Sequence, residues 1–524
     1  MTAGAIILSA GFLHGATLSH SFREGNTVFL QVSDGTAQID WLSESSFRFS
    51  RRWEGAWIEG PAITPQTIGL KISDTAEALN ITSKYLKVAI VKHGVLVRVD
   101  DSDGKPLMAD AGEAVIRDGS VSLERLAPAH VRYFGLGARE SGPIELRGAR
   151  ITTTRPFLIS SAGYGEWLPA PGRYTFDLAH TRAGRYRIEA HGAVKVDYYF
   201  FFGPTPKEIL EQYLLVDGPM DPITPDKFQP LRPAEAPKRT TPLPEGSLAQ
   251  TVHRLINSSL SGILLPAIPL DSFQNAPEPV RRRAAQLGSV SPIVLGSRPD
   301  AMSATWRGEL TAYLATYGEE ARERGLPMIH ALPLQFPKDV LAAKISDEFM
   351  LGDELLIAPA PQDRLSRSVY FPMGVWTRLS DNQVYQGRQT YTIDAGPDDL
   401  PVFSRNGSIV PLGSAPMKLH YFPKLGGEFF LYESDLGEYS QVHAGPAGDF
   451  MRLETESRKD RGYEWIVHHM DRPKRIAAAG VEFPQVEELG KLIPGAWFYD
   501  TSRKNLHVRI ASRAGGDEII TISF

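Results

Sequence analysis

From Thr27 to about Asp100 apolar residues come in short alternating runs broken by turn pairs. Val28 to Val32 closes at Asp34-Gly35, and Tyr85 to Val99 is interrupted at His93-Gly94. A period of two bounded by turn residues predicts strands and hairpins. The alternation resumes in Tyr174-Thr175-Phe176-Asp177-Leu178, and the aromatic run through Tyr198 to Phe202 fits a strand covered on both faces. Residues 21–217 therefore read as an N-terminal β-sandwich. Its closing helix has a start signal: Thr205 as N-cap, Pro206 at the first helical position and Glu208 completing a capping box. Prolines then crowd residues 218–244 with few large apolar side chains, which neither a helix nor a central strand accepts, so an extended linker is expected.

After residue 245 the period becomes helical. Leu248, Val252, Leu255 and Ser259 share one face, as do Val280, Ala284 and Leu287, and then Trp306, Leu310, Tyr313, Leu314, Tyr317 and Ala321 before a stop at Gly325. Each helix leads into a short apolar run (Gly262 to Leu265, Pro292 to Leu295, Met328 to Leu332, later Leu355 to Ala358), predicting an α/β segment with parallel strands over 245–360. Period two returns through Val369-Tyr370-Phe371, Tyr391-Thr392-Ile393 and Ile409-Val410 and continues to Phe524. Two C-terminal β-sandwich domains, 361–412 and 413–524, complete a multidomain β plus α/β chain. Residues 1–20 hold an apolar stretch, Ala5 to Leu13, too short to span a bilayer; it reads equally as a signal peptide or a first buried strand, so periplasmic, secreted and cytoplasmic locations all stay open.

The 524 residues carry a formal charge of −5 with both signs interleaved, which offers no basic stripe for a nucleic acid. Zero cysteines exclude disulfides, thiolate metal sites and a cysteine nucleophile. Phosphate loops, nucleophile elbows and dinucleotide fingerprints are absent, and no cofactor is expected. His468-His469 reads as two strand residues on opposite faces, not a metal site. The neighbouring acids Asp398-Asp399, Asp347-Glu348, Asp353-Glu354 and Glu319-Glu320 read as solvated faces, because adjacent residues diverge.

Four blocks resemble glycoside hydrolase family 31, which includes α-glucosidases and α-xylosidases. Tyr133-Phe134-Gly135-Leu136-Gly137, Pro156 to Gly165 and Gly172 to Asp177 look like its amino-terminal β-domain. Leu260-Ser261-Gly262 with Asp271-Ser272-Phe273, and the Trp306 helix running into Gly325-Leu326-Pro327-Met328, are similar to its late barrel elements. Leu351-Gly352-Asp353-Glu354-Leu355-Leu356-Ile357-Ala358-Pro359, Arg367 to Trp376 and Leu400 to Pro411 look like the barrel exit and proximal β-domain, and Leu431 to Gly437 with Trp497 to Asp500 like the distal one.

This resemblance implies a (β/α)₈ barrel and retaining hydrolysis of α-glycosides by two carboxylates about 5–5.5 Å apart. A whole barrel takes about 250 residues, and the stretch from Pro219 to Ala358 holds far fewer, so a partial barrel is expected. The family's acid would fall on Arg239-Thr240-Thr241, with Glu245 the nearest carboxylate. Where its late strand ends in aspartate this chain has Pro269, with Asp271 two residues on. Its Arg-Ser-His tip reads Gly296-Ser297-Arg298, its sugar-facing loop is shortened to Arg150-Ile151-Thr152-Thr153-Thr154, and His330 stands where the family usually has arginine.

No catalytic pair is assigned; Asp271 and Glu245 are the weak candidates. His330, Arg298, Trp167 and Trp376 are the ligand-binding candidates, weighed against a hydrogen-bonded strand-end histidine and a surface charge for the first two. The expected function is a catalytically inactive family 31-like protein that binds carbohydrate or serves as an assembly subunit; the alternative is an α-glycosidase with non-standard carboxylates. Exposed strand edges of a cut-down barrel predict a homo-oligomer or a partner protein over 245–358.

Overall fold

Alternation becomes pairing over the first two hundred residues. Thr27–Val32 folds back on Gly35–Ser43 across Ser33-Asp34, and Leu86–Val91 on Leu96–Asp101 across His93-Gly94. In this computed structural model residues 15–55, 57–60, 67–218, 220–296, 301–360 and 364–524 are described; the apolar stretch before Gly15 and Arg298 lie outside them. Two compact units divide the chain: Met1–Tyr133 with Leu146–Pro204, and Phe134–Glu145 with Thr205–Phe524.

In the first unit a sheet of eight strands and one of five contribute to a common interior, beside a further five-stranded meander. Phe47, Phe200 and Tyr164 stack through it with ring centroids 5.1 and 5.3 Å apart. At its centre Arg125 is wholly buried, paired with Asp110 and with Glu166 at 2.9 Å, and lies over the Tyr198 ring. Tyr186 donates to the second Glu166 oxygen, so this carboxylate of the eight-stranded sheet is held by two partners from the five-stranded one. Arg150–Thr153, expected as a shortened loop, is an edge strand paired with Tyr174–Asp177.

In the second unit Thr205 caps helix α1 (Pro206–Asp217) through the capping box with Glu208. Helices α2 (Leu248–Ser259) and α3 (Glu278–Ser289) connect three parallel strands, Thr240–Pro242, Leu265–Pro269 and Ile293–Leu295; α4 (Ala301–Arg324) follows. The parallel sheet among the described residues has these three strands.

The proline-rich segment 218–244 is not the extended linker its composition suggested. Met220, Ile223, Phe228, Leu231 and Leu243 are buried, and the segment closes both sides of the parallel sheet. At one edge Thr240–Pro242 pairs with Leu265–Pro269, and Leu243 donates to the Ala267 carbonyl at 2.9 Å. At the other, Leu231 donates to Val294 O, and Gly296 donates to Leu231 O, both at 2.9 Å. The prolines fit because they occupy positions that need no N–H: Pro225 and Pro233 open 3₁₀ turns and Pro242 lies on an edge strand. The outer sides of Leu265–Pro269 and Ile293–Leu295 are thus covered by the chain itself, and Thr240–Pro242 becomes the edge strand on one side.

A second expectation also fails. Ile329–Ala331 and Leu355–Ile357, read as parallel strands, join Phe349–Leu351 and Val402–Arg405 in an antiparallel six-stranded sheet. Only three residues, Gly352-Asp353-Glu354, separate Leu351 from Leu355, with Gly352 at φ +60; so short a turn makes antiparallel neighbours and cannot make a parallel crossover. The proximal β-domain therefore draws on strands well before residue 361. Its core gathers Phe371, Trp376, Tyr385 and Phe403. Beyond it a five-stranded and a six-stranded sheet form the distal region. No helix of the described residues is long and apolar enough to cross a membrane.

One side chain ties the parallel region together. Arg307 on α4 is 0% exposed and donates to four main-chain carbonyls: Phe228 in the proline-rich segment, Gly288 in α3 at 2.7 Å, Ser291 at 2.6 Å and Pro292 at 3.0 Å. With no carboxylate partner among the described residues, burial lowers its pKa to about 9. Arg307→Ala strands these acceptors, and a loss of about 3–5 kcal/mol is expected. Lysine should recover less than half of it, lacking the planar fork. The measurement is amide hydrogen exchange at Leu231 and Ile293–Leu295; wild-type protection in the alanine variant would refute the assignment.

Candidate functional site

Parallel α/β sheets bind ligands at the carboxyl ends of their strands, where the loops gather. Three turns meet that description here. After Thr240–Pro242 the chain runs through Glu245 to Ser247, which caps α2 by a reciprocal bond with Gln250. Arg254 holds this turn by donating to the carbonyls of Pro244 and Glu245 at 3.0 and 3.2 Å, and it also pairs with Glu140. Only the main chain of Glu245 is fixed this way; its side chain is exposed.

After Leu265–Pro269 a 3₁₀ turn, Leu270–Phe273, carries Asp271. Its carboxylate is exposed, accepts from Gln274 at 2.6 Å and lies over Gly296 at the end of Ile293–Leu295. A Cβ on Gly296 would come within 2.5 Å of it, so glycine at φ +115 is what lets the two strand ends close up. The strand order thus brings the Asp271 and Gly296 turns into contact and sets the Glu245 turn at the same end of the sheet. Neither Glu245 nor Asp271 has the enclosure that holds a catalytic acid protonated.

His330 and Trp376 are buried away from these turns. His330, on Ile329–Ala331, is 0% exposed, and its Nδ1 lies 3.3 Å from the Asp353 carboxylate, which Lys207 binds at 2.6 Å. It belongs to a buried polar contact and does not face a ligand. Trp376 is also 0% exposed; its indole donates to Pro372 O at 2.9 Å, and its faces meet Phe336 and Phe371. It packs the proximal core and offers no stacking platform. Trp167 is half-buried against Tyr199 with ring centroids 5.2 Å apart.

The acidic neighbours expected to be solvated split instead, one member turning inward. Glu348 is 1% exposed and meets Arg367, whereas Asp347 points out. In the Leu351–Leu355 turn, burial alone would raise Asp353, but His330 and Lys207 outweigh it and hold the carboxyl well below the usual range. Burial pushes Glu354 up to about 7, with ionised Asp353 adding to the rise. Its Oε2 faces the hydroxyls of Tyr313 and Tyr317 at 2.8 and 2.6 Å. Tyr313 has one proton and a second acceptor, Leu351 O, at 2.6 Å. A protonated Glu354 resolves this conflict by donating to a tyrosine oxygen. The turn escaped sequence reasoning, although Tyr313 and Tyr317 at helical spacing marked a polar-tipped face.

Residues 325–410 match the model described as the glycosyl hydrolase family 31 C-terminal domain. Over those residues the chain carries a family 31 C-terminal domain. Similar curated proteins include the isomaltosyltransferase of Sporosarcina globispora, 25% identical over 41% of this chain and 21% of that protein. Another is α-glucosidase 2 of Bacillus thermoamyloliquefaciens, 31% identical over 28% of this chain and 19% of the relative. The match therefore spans about a fifth of the length of these curated relatives. Among solved structures, a family 31 dextranase of Flavobacterium johnsoniae complexed with isomaltotriose superposes with a TM-score of 0.84 at 16% identity, covering 98% of this chain and 100% of that one. The cycloalternan-forming enzyme of Listeria monocytogenes gives 0.79 at 13%, over 97% and 77%. At these identities the likeness is one of fold.

The Glu354 environment predicts a pH signature. Its folded pKa lies above the ordinary 4.5, so its contribution is fully present below pH 4.5 and is lost as pH rises through about 7. Glu354→Gln keeps an uncharged acceptor and escapes that loss. Its unfolding temperature relative to wild type should rise from pH 5 to pH 8, and a difference constant across that range would refute the protonated form.

Proposed function

We propose that this chain binds α-linked glycan without hydrolysing it. The observation that carries the reading is the three-stranded parallel sheet, whose carboxyl ends present an exposed Glu245 and an Asp271 tied to Gln274. Retaining hydrolysis needs two carboxylates about 5–5.5 Å apart, and inversion about 6.5–9.5 Å, with one kept protonated across the scissile bond. Two exposed acids on separate surface turns do not supply that environment. The region reads as a barrel remnant in which the strands that would carry the catalytic acids are replaced by the proline-rich segment.

Glycan is the ligand class favoured because relatives bear names such as isomaltosyltransferase and dextranase, the latter solved with isomaltotriose. Binding is preferred to assembly, since the two strands Leu265–Pro269 and Ile293–Leu295 already have hydrogen-bonded neighbours within the chain.

The test pairs two measurements. Release of nitrophenol from aryl α-glucoside and α-xyloside should be undetectable at high protein concentration, whereas calorimetry should show saturable binding of isomaltotriose or a related α-glucan. Turnover that disappears in Asp271→Asn would establish the hydrolase reading in its place.

A further inference from the structure

The distal six-stranded sheet carries a polar cleft that the parallel-sheet edge does not explain. Its strands Gly427–Glu433, Glu438–Ala447 and Phe450–Ser457 are antiparallel neighbours. Glu428 lies opposite His443, and His443 opposite Glu454, so the three side chains form one row on one face. Arg452 is opposite Gly445 on that face and is fixed by Glu454, Nε to Oε1 at 2.6 Å. The Glu428 carboxylate stands 3.8 Å from His443 Nδ1. Glu354 lines the opposite side of the same cleft, whose volume is about 700 Å³.

Gly407, Gly426, Gly427 and Gly445 also line it, and a Cβ on Gly427 would lie 2.7 Å from the Gly407 carbonyl oxygen. Beside the row, Phe430 is 45% exposed and meets His443 edge-on, centroids 6.3 Å apart.

We infer that this cleft is where the chain holds a neutral oligosaccharide. A volume within the ordinary ligand range of about 300–1,000 Å³ admits a short oligosaccharide. Carboxylates and a guanidinium fixed in one row offer paired acceptors and donors of the kind that vicinal hydroxyls engage two at a time. The ring of Phe430 supplies an apolar face for sugar C–H groups. With Glu354 protonated, the carboxylates of Glu428 and Glu454 still outnumber the one arginine and disfavour phosphorylated or acidic ligands, and the glycine main chain in the lining disfavours an apolar one.

The inference rests on the glycan-binding reading above, and the experiment separates the two. Isomaltotriose, maltotriose and xylo-oligosaccharides are titrated calorimetrically into the full chain, into His443→Ala and Arg452→Ala, and into the conservative Glu428→Gln, with unfolding temperatures confirming that each variant folds. Wild-type binding weakened about tenfold or more in two of the three variants supports the cleft. Wild-type binding unchanged in the folded variants overturns the cleft and leaves the glycan reading standing. No binding of any sugar to wild type overturns both. Spermine binding more tightly than the sugars and lost in the same variants overturns the neutral-ligand assignment in favour of a cation.

Discussion

The parallel region depends on a single buried cation. Among the described residues Arg307 has four carbonyl partners and no carboxylate, so main-chain dipoles solvate its charge. Those carbonyls come from the proline-rich segment, from α3 and from the turn into Ile293–Leu295. An isolated buried charge is costly unless each donor finds an acceptor. The geometry that satisfies Arg307 is therefore the same geometry that holds Phe228, and with it Leu231, against the edge strand. A short parallel sheet is an unstable object when its edges are open; here the guanidinium, two bridging bonds at Leu231 and the pairing of Thr240–Pro242 close it.

Elsewhere the same problem is met with counter-charges. Arg125 in the first unit is matched by Asp110 and Glu166, and Arg367 in the second by Asp347 and Glu348. The Leu351–Leu355 turn handles two adjacent acids by separating their protonation: Asp353 takes a lysine and a histidine, whereas Glu354 takes two tyrosine hydroxyls. Each of these buried charges is committed to such a network, whereas Glu245, Asp271 and Glu428 are exposed.

That division bears on chemistry. A glycosidase acid works because enclosure raises its pKa beside an ionised partner. Burial raises Glu348 and Glu354, neither of which stands at the carboxyl ends of the parallel sheet, where Glu245 and Asp271 are open to solvent.

Periodicity determined much of what is seen. Alternation through Val28–Val32 and Tyr174–Leu178 specified strands, Thr205-Pro206 with Glu208 specified the start of α1, and the apolar faces of α2 and α3 specified helices between short strands, because each signal is local and its physics acts within a few residues. The family was legible for the same reason, in blocks such as Leu351–Pro359. Of the site, Asp271 and Glu245 could be placed at strand ends from order alone. The side-chain environments could not. His330 and Trp376 read as ligand-facing but are buried, the proline-rich segment read as a linker but is a pair of sheet edges, and the row of Glu428, His443 and Glu454 was not singled out at all. Those outcomes rest on hydrogen bonds and strand registers between residues far apart in the chain. Sequence by itself settled the helices and strands that carry a clear local period; tertiary structure decided the edge strands Arg150–Thr153 and Thr240–Pro242 and which side chains meet, since burial and pairing belong to contacts that no local pattern encodes.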